Sequence, residues 1–203
     1  MAIKKFFMAT ALCALLSACA TTGPTAPGSA AQSAAYQDNI DLHGRLAVNY
    51  QNEGKNEALS GTFTWKQTPA RIDVTLASPF STIATISVTP EEATLTQSGQ
   101  PPRVAADIDA LTAQALGWSL PVAGLRDWLQ GYATARDGKR FIASPANDNV
   151  TTRDGWRLRY VLWQDAGPGE ASPRPKRIDA ERSATLNSGE LSIRIVIDSQ
   201  GQP

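Results

Sequence analysis

Thiols are almost missing from this chain. Its 203 residues hold two cysteines, Cys13 and Cys19, both ahead of the region able to fold. No disulfide, thiolate metal site or cysteine nucleophile is therefore available to a domain beyond them. Histidine is as scarce, with His43 alone. It falls on the polar side of a period-two segment and reads as a surface residue, since a catalytic imidazole needs a partner that no motif supplies. Neither charge sign is in excess: lysine plus arginine number 19 and so do aspartate plus glutamate. That balance leaves no basic footprint for nucleic acid. There is no Gly-x-Ser-x-Gly elbow, His-Glu-x-x-His pair or phosphate loop. The carboxylates are scattered, with Asp107 and Asp109 placed as helix-start residues and Glu91-Glu92 in a turn. An enzyme is not expected, and neither is a cofactor or metal. A sugar-cleaving carboxylate pair is the enzymatic alternative that a sequence leaves open.

Long apolar runs are also lacking. The longest opens the chain, from Phe6 to Ser17 after Lys4 and Lys5, and it falls short of the ~20 residues a membrane-spanning helix needs. A positive start, an apolar centre and small residues form a secretory signal. It closes on Leu16-Ser17-Ala18-Cys19, which resembles the lipobox of bacterial lipoproteins. The expectation is a signal peptide over 1–18, removed to leave Cys19 acylated at the new N-terminus. The bland alternative is an ordinary signal with an incidental cysteine. Ala20 follows; an Asp there resembles an inner-membrane retention signal, so its absence points to the outer membrane. Residues 19–35, rich in Thr, Gly, Pro, Ala and Ala-Ser pairs, bury too little to offset chain entropy and are expected to be a tether. The domain is expected over 36–203, and 203 less 18 residues, about 185, suffice for one sizeable core.

Within that domain the pattern is mostly period two. Leu42, Gly44, Leu46, Val48 and Tyr50 share one face against His43, Arg45, Ala47 and Asn49. Gly61-Phe63-Trp65, Ile72-Val74-Leu76, Ala84-Ile86-Val88 and Ala93-Leu95-Gln97 repeat it between turn residues, predicting antiparallel strands. The period then lengthens. Asp107 caps a predicted helix carrying Ile108, Leu111, Ala115 and Leu116 and ending at Gly117. Pro121 opens a second with Val122, Leu125, Trp128 and Leu129, stopped by Gly131. Strands resume at Trp156-Leu158-Tyr160-Leu162, with shorter candidates over 175–180 and 184–186 and a clear last one at Leu191-Ile193-Ile195-Ile197. Strands, helices, strands predict an α+β fold, mostly antiparallel β, with helices over one face of the sheet or of a half-barrel.

The aromatic rings Phe63, Trp65, Trp118, Trp128, Trp156, Tyr160 and Trp163 are many for one domain. Each alone reads as core; as a set under two apolar helices they suit an apolar pocket. The loop Ala77-Ser78-Pro79-Phe80-Ser81-Thr82 places a large ring among turn residues. Read by itself, that ring is expected to fold back onto the core.

Five segments in order then resemble the LolB family: Gly44-Arg45-Leu46-Ala47-Val48; Gly61-x-Phe63-x-Trp65; Leu76-x-Ser78-Pro79-Phe80; Gly117-Trp118-x-Leu120-Pro121-Val122-x-x-Leu125-x-x-Trp128-Leu129-x-Gly131; and Gly155-Trp156-x-Leu158-x-Tyr160. The resemblance implies an open antiparallel β-barrel with helices covering an apolar cavity. It implies an outer-membrane lipoprotein on the periplasmic face that accepts acylated lipoproteins from a LolA-like periplasmic carrier and inserts them into outer-membrane lipid, as a monomer. It implies a membrane-insertion loop with an apolar residue after proline, so Pro79, Phe80 and Ser81 take that role and Phe80 is expected to be exposed. The family usually shows Leu-Gly there; Phe80-Ser81 keeps an apolar tip and drops the glycine. The acyl-chain cavity is expected to be lined by Phe63, Trp65, Val74, Leu76, Ile86, Leu111, Leu125, Trp128, Leu158, Tyr160 and Ile195, all on predicted inward faces. An envelope assembly lipoprotein that binds protein partners is the non-enzymatic alternative.

Overall fold

The computed structural model describes residues 32–52, 54–164, 172–185 and 189–200. Cys19, the leader and most of the tether fall outside them. The alternating segments form strands β1 (Ile40–Asn52), β2 (Lys55–Gln67), β3 (Ile72–Ala77), β4 (Thr82–Val88), β5 (Ala93–Thr96) and β6 (Arg103–Ala105). Helices α1 (Ile108–Leu116) and α2 (Val122–Trp128) follow, then β7 (Tyr132–Thr134), β8 (Arg140–Ile142), β9 (Asn149–Thr151), β10 (Arg157–Gln164), β11 (Arg174–Arg182) and β12 (Leu191–Gln200).

Ten strands make one antiparallel sheet in the order β6-β5-β4-β3-β2-β1-β12-β11-β10-β9, and β7 pairs with β8 in a small second sheet. The first and last long strands meet in the middle, so the two halves of the chain are joined by β1 and β12. The large sheet keeps two edges, β6 and β9, and is an unclosed barrel. Its inner face carries the residues expected there: Leu42, Val48, Trp65, Val74, Leu76, Ile86, Leu95, Leu158, Tyr160, Ile178 and Ile197 are all buried. Each such side chain contributes roughly 1.5–3 kcal/mol relative to exposure. Curvature has a local cause in β1. The register shifts between His43 and Gly44, and a Cβ on Gly44 would lie 2.2 Å from the Val196 carbonyl oxygen and 2.6 Å from the Phe63 ring. A bulge with no side chain lets the sheet bend and the ring lie flat over the backbone.

A buried polar side chain at the end of β2 is satisfied by its neighbours. The Trp65 indole donates to Gln67 Oε1 at 3.2 Å, and Gln67 Nε2 donates to the Tyr36 hydroxyl at 3.1 Å. Buried Gln67 is thereby tolerated beside the core.

The structure differs from the sequence reading in four places. The folded body takes in Ser33–Ala35, ahead of the expected boundary at Tyr36. Ser33 N and Oγ both donate to the Ala143 carbonyl, Ala34 N donates to Pro173 O at 3.0 Å, and the Tyr132 hydroxyl donates to Ala34 O at 2.9 Å. Small residues there are an adaptation, because Gly131, at φ +86°, leaves only enough space for the Ser33 hydroxymethyl. The three-residue strands β6 to β9 were not foreseen, being too short to show a period. The strand expected over 175–180 extends to Arg174–Arg182, and the one expected over 184–186 is only an isolated bridge at Thr185, with Leu186 outside the described residues.

Candidate functional site

The helical layer is built as one piece. Asp107 caps α1 by accepting from Asp109 N at 2.9 Å and Ala110 N at 3.2 Å, and Gly117 ends it at φ 80°. The connector to α2 is clasped by α1 itself. Thr112 Oγ1 donates to Asp109 O and accepts from Leu120 N, both at 3.0 Å, and Thr112 is fully buried. α1 packs on β5 and β6, and α2 on β7. Trp128 of α2 meets Trp156, ahead of β10, edge to face at 5.5 Å, and the Arg182 guanidinium lies 4.8 Å from the Trp156 ring. The cover is thus pinned to both ends of the large sheet.

Between cover and sheet lies a cavity with an entirely apolar wall. The sheet supplies Leu46, Phe63, Trp65, Val74, Leu76, Ile193 and Ile195; the connector and α2 supply Leu120, Leu125 and Leu129. Its volume is ≈ 20 Å³, close to the ~10–15 Å³ that a single water occupies. In this conformation the space is far too small for a fatty chain. Of the residues expected to line a cavity, Phe63, Trp65, Val74, Leu76, Leu125 and Ile195 are on its wall. Ile86, Leu111, Trp128, Leu158 and Tyr160 are buried in the same continuous core, off that wall. Leu46, Leu120, Leu129 and Ile193 belong to the wall and were not singled out. Leu46 and Ile193 share the inward parity of chosen neighbours, a signal that was present; Leu120 sits in a connector with no period to betray it.

Burial shifts two groups near this layer. It raises the Tyr160 hydroxyl above its ordinary value, with the Asp127 charge adding to the effect. Asp109, on the first turn of α1, is pushed up to about 6 by burial first and then by the charges of Asp107 and Asp154. The Val122 N–H and the Arg182 charge pull it the other way. One of its oxygens, Oδ1, is buried without a hydrogen-bond partner. His43 is exposed, with Nε2 3.4 Å from Asp41 Oδ1 and Nδ1 3.4 Å from Thr64 Oγ1.

The loop between β3 and β4 behaves differently from its residue-by-residue reading. Phe80 does not fold back; it is 97% exposed. A serine hydroxyl replaces glycine chemistry in holding the turn. Ser78 Oγ accepts from Ser81 N at 3.2 Å and from Phe80 N at 3.4 Å, and Ser78 N donates to Ser81 O at 2.8 Å. The turn is thus braced by a side chain, with the ring outside it.

An open antiparallel sheet with an apolar interior, a helical cover on that face and an exposed aromatic on the loop between β3 and β4 define the class of fold. The family model described as outer membrane lipoprotein LolB matches residues 38–199. The chain is 40% identical over 190 residues to the outer-membrane lipoprotein LolB of Cupriavidus taiwanensis, covering 92% of this chain and 91% of that one. It is 41% identical over 186 residues to that of Cupriavidus necator, covering 91% and 90%. A solved LolA superfamily protein from Nitrosomonas europaea is similar at TM-score 0.47 and 11% identity, over 82% of this chain and 87% of that one. The chain belongs to the LolB family: it is an outer-membrane lipoprotein of the lipoprotein localisation pathway, and not an enzyme.

Proposed function

We propose that this protein accepts acylated lipoproteins from a LolA-like periplasmic carrier into the space beneath its helical cover and releases them into the outer membrane. The carrying observation is the all-apolar wall between sheet and cover in a chain of this family. Residues 1–18 serve as a signal peptide, and Cys19 holds the acyl anchor. At about 0.8 kcal/mol per methylene, each long chain costs on the order of 10 kcal/mol to leave in water. Transfer must therefore run from one shielded site to another and then to the bilayer. With no nucleotide site in the described residues, affinity alone sets direction. This cavity must hold acyl chains more tightly than the carrier does and less tightly than the membrane.

In this reading the cover lifts as the unit that Thr112 clasps, opening the seam between Leu120, Leu125 and Leu129 on one side and Phe63, Trp65, Leu76 and Ile195 on the other. Ile86, Leu111, Trp128, Leu158 and Tyr160 join the lining as it widens. Pro79, Phe80 and Ser81 form the tip that enters the leaflet. The test is transfer of a labelled lipoprotein from purified carrier to the purified protein, and onward to vesicles. Transfer is expected with wild type. Leu125→Glu should block the first step and Phe80→Glu only the second, with folding of the latter intact. Full onward insertion by Phe80→Glu would take the loop out of the mechanism, and no transfer to wild type would end the reading.

A further inference from the structure

We infer that the outer face of the sheet beside the Phe80 loop is a second membrane contact, one that recognises anionic lipid headgroups by charge. The strand register carries it. One cross-strand row runs outward from the base of the loop as Ala77, Thr62, Arg45, Val196, Arg177 and Leu162. The neighbouring row runs Ser60, Ala47, Arg194, Asp179 and Arg159. Four arginines thus lie in two adjacent rows on the face away from the helical cover.

Their carboxylate partners are too few. Arg45 pairs with Asp198 at 2.8 Å, while Arg177 and Arg194 share Asp179 at 2.7 and 3.2 Å. Arg159 is exposed and has no carboxylate partner among the described residues. Four arginines against Asp179 and Asp198 leave a surplus of two positive charges (4 − 2) on a band of a chain whose formal charge is zero. Arg157 in the next row is matched by Glu181 and adds none.

The band and the loop face a common space. A groove of ≈ 560 Å³ is walled by Ser78 and Pro79 on one side and by Arg45 and Arg194 on the other, floored by Ala47, Ser60 and Thr62. Whatever surface receives Phe80 therefore also meets these guanidiniums. Small floor residues keep the groove open to a phosphate. At the far end of the first row Leu162 is 49% exposed. Basic side chains flanking an inserted apolar residue are the combination that holds a protein flat on a negative leaflet.

This inference rests on the loop meeting membrane, as proposed above. The test uses the full acylated protein reconstituted into vesicles of phosphatidylcholine alone or mixed equally with phosphatidylglycerol. An environment-sensitive dye is placed at Ser60→Cys in the groove, at Phe80→Cys in the loop, or at Gln114→Cys on the exposed side of α1. The expected result is headgroup contact at position 60 in the anionic vesicles only, lost in high salt, with position 114 in water throughout. Arg45→Gln and Arg194→Gln should each weaken the contact about fivefold. Equal signals at position 60 in both lipids, or a signal indifferent to both arginine changes, would overturn the inference. Insertion at position 80 without contact at 60 would do so while leaving the proposed function standing; no insertion at 80 would remove both.

Discussion

Phe63 and Phe80 are the same side chain in opposite circumstances. Phe63 lies over the backbone of Gly44, 7% exposed, on the wall between sheet and cover; Phe80 stands 97% exposed on a loop held by Ser78. The first ring is paid in stability and the second gives none, so their roles separate. Apolar residues with strand parity build the hollow, and an apolar residue pinned between turn residues is aimed at something outside the molecule.

The largest difference should lie between the two rings when each is removed. Phe63→Ala is expected to cost about 3–5 kcal/mol in denaturant unfolding, and Phe80→Ala less than ~0.5 kcal/mol. A sizeable loss with Phe80→Ala would mean that its ring packs on the body and that the contrast is false. Thr112→Val comes next. It keeps the shape but leaves the Leu120 N–H buried without an acceptor, a loss of about 1–3 kcal/mol. Because that bond ties the connector to α1, the variant should also take up a fluorescent apolar probe more readily; reduced or unchanged uptake would separate the clasp from opening.

Asp109 gives a smaller, pH-dependent effect. Its folded-state value of about 6 lies above its ordinary one. The folded form therefore holds the proton more tightly, and stability falls as pH rises from about 4 through 6. Asp109→Asn should match wild type near pH 4 and exceed it at pH 7 by on the order of 1 kcal/mol, after allowance for solvent screening. A constant difference across that range would show that Asp109 does not titrate there. Trp118→Phe should have an effect of similar size. The indole N–H is buried without a partner, so removing it loses no hydrogen bond, and the cost by thermal unfolding is that of the buried ring volume given up, on the order of 1 kcal/mol.

The parts of the fold that repeat were legible in the sequence. β1 to β5, β10 and β12 alternate over enough residues to expose one face, and α1 and α2 are bracketed by Asp107, Gly117, Pro121 and Gly131. The parts held by single contacts were not. β6 to β9 are three residues each, and Ser33–Ala35 dock through backbone groups whose partners are about a hundred residues away. The site divides the same way. Parity selects Trp65, Val74, Leu76 and Ile195 for the cavity wall, whereas Leu120 reaches it only because Thr112 draws the connector inward. Phe80 was misread from local residues because polarity of a turn says where backbone goes, not what the tip is for; the resemblance to a family supplied that.

The docking of Ser33 also fixes a leash. With the body fastened from that residue and the anchor proposed at Cys19, fourteen residues (33 − 19) would separate protein from bilayer. At ~3.3–3.6 Å each they span no more than about 50 Å. On the function proposed above, a carrier would have to deliver within that radius, and the Phe80 loop would always lie within the same reach of the leaflet.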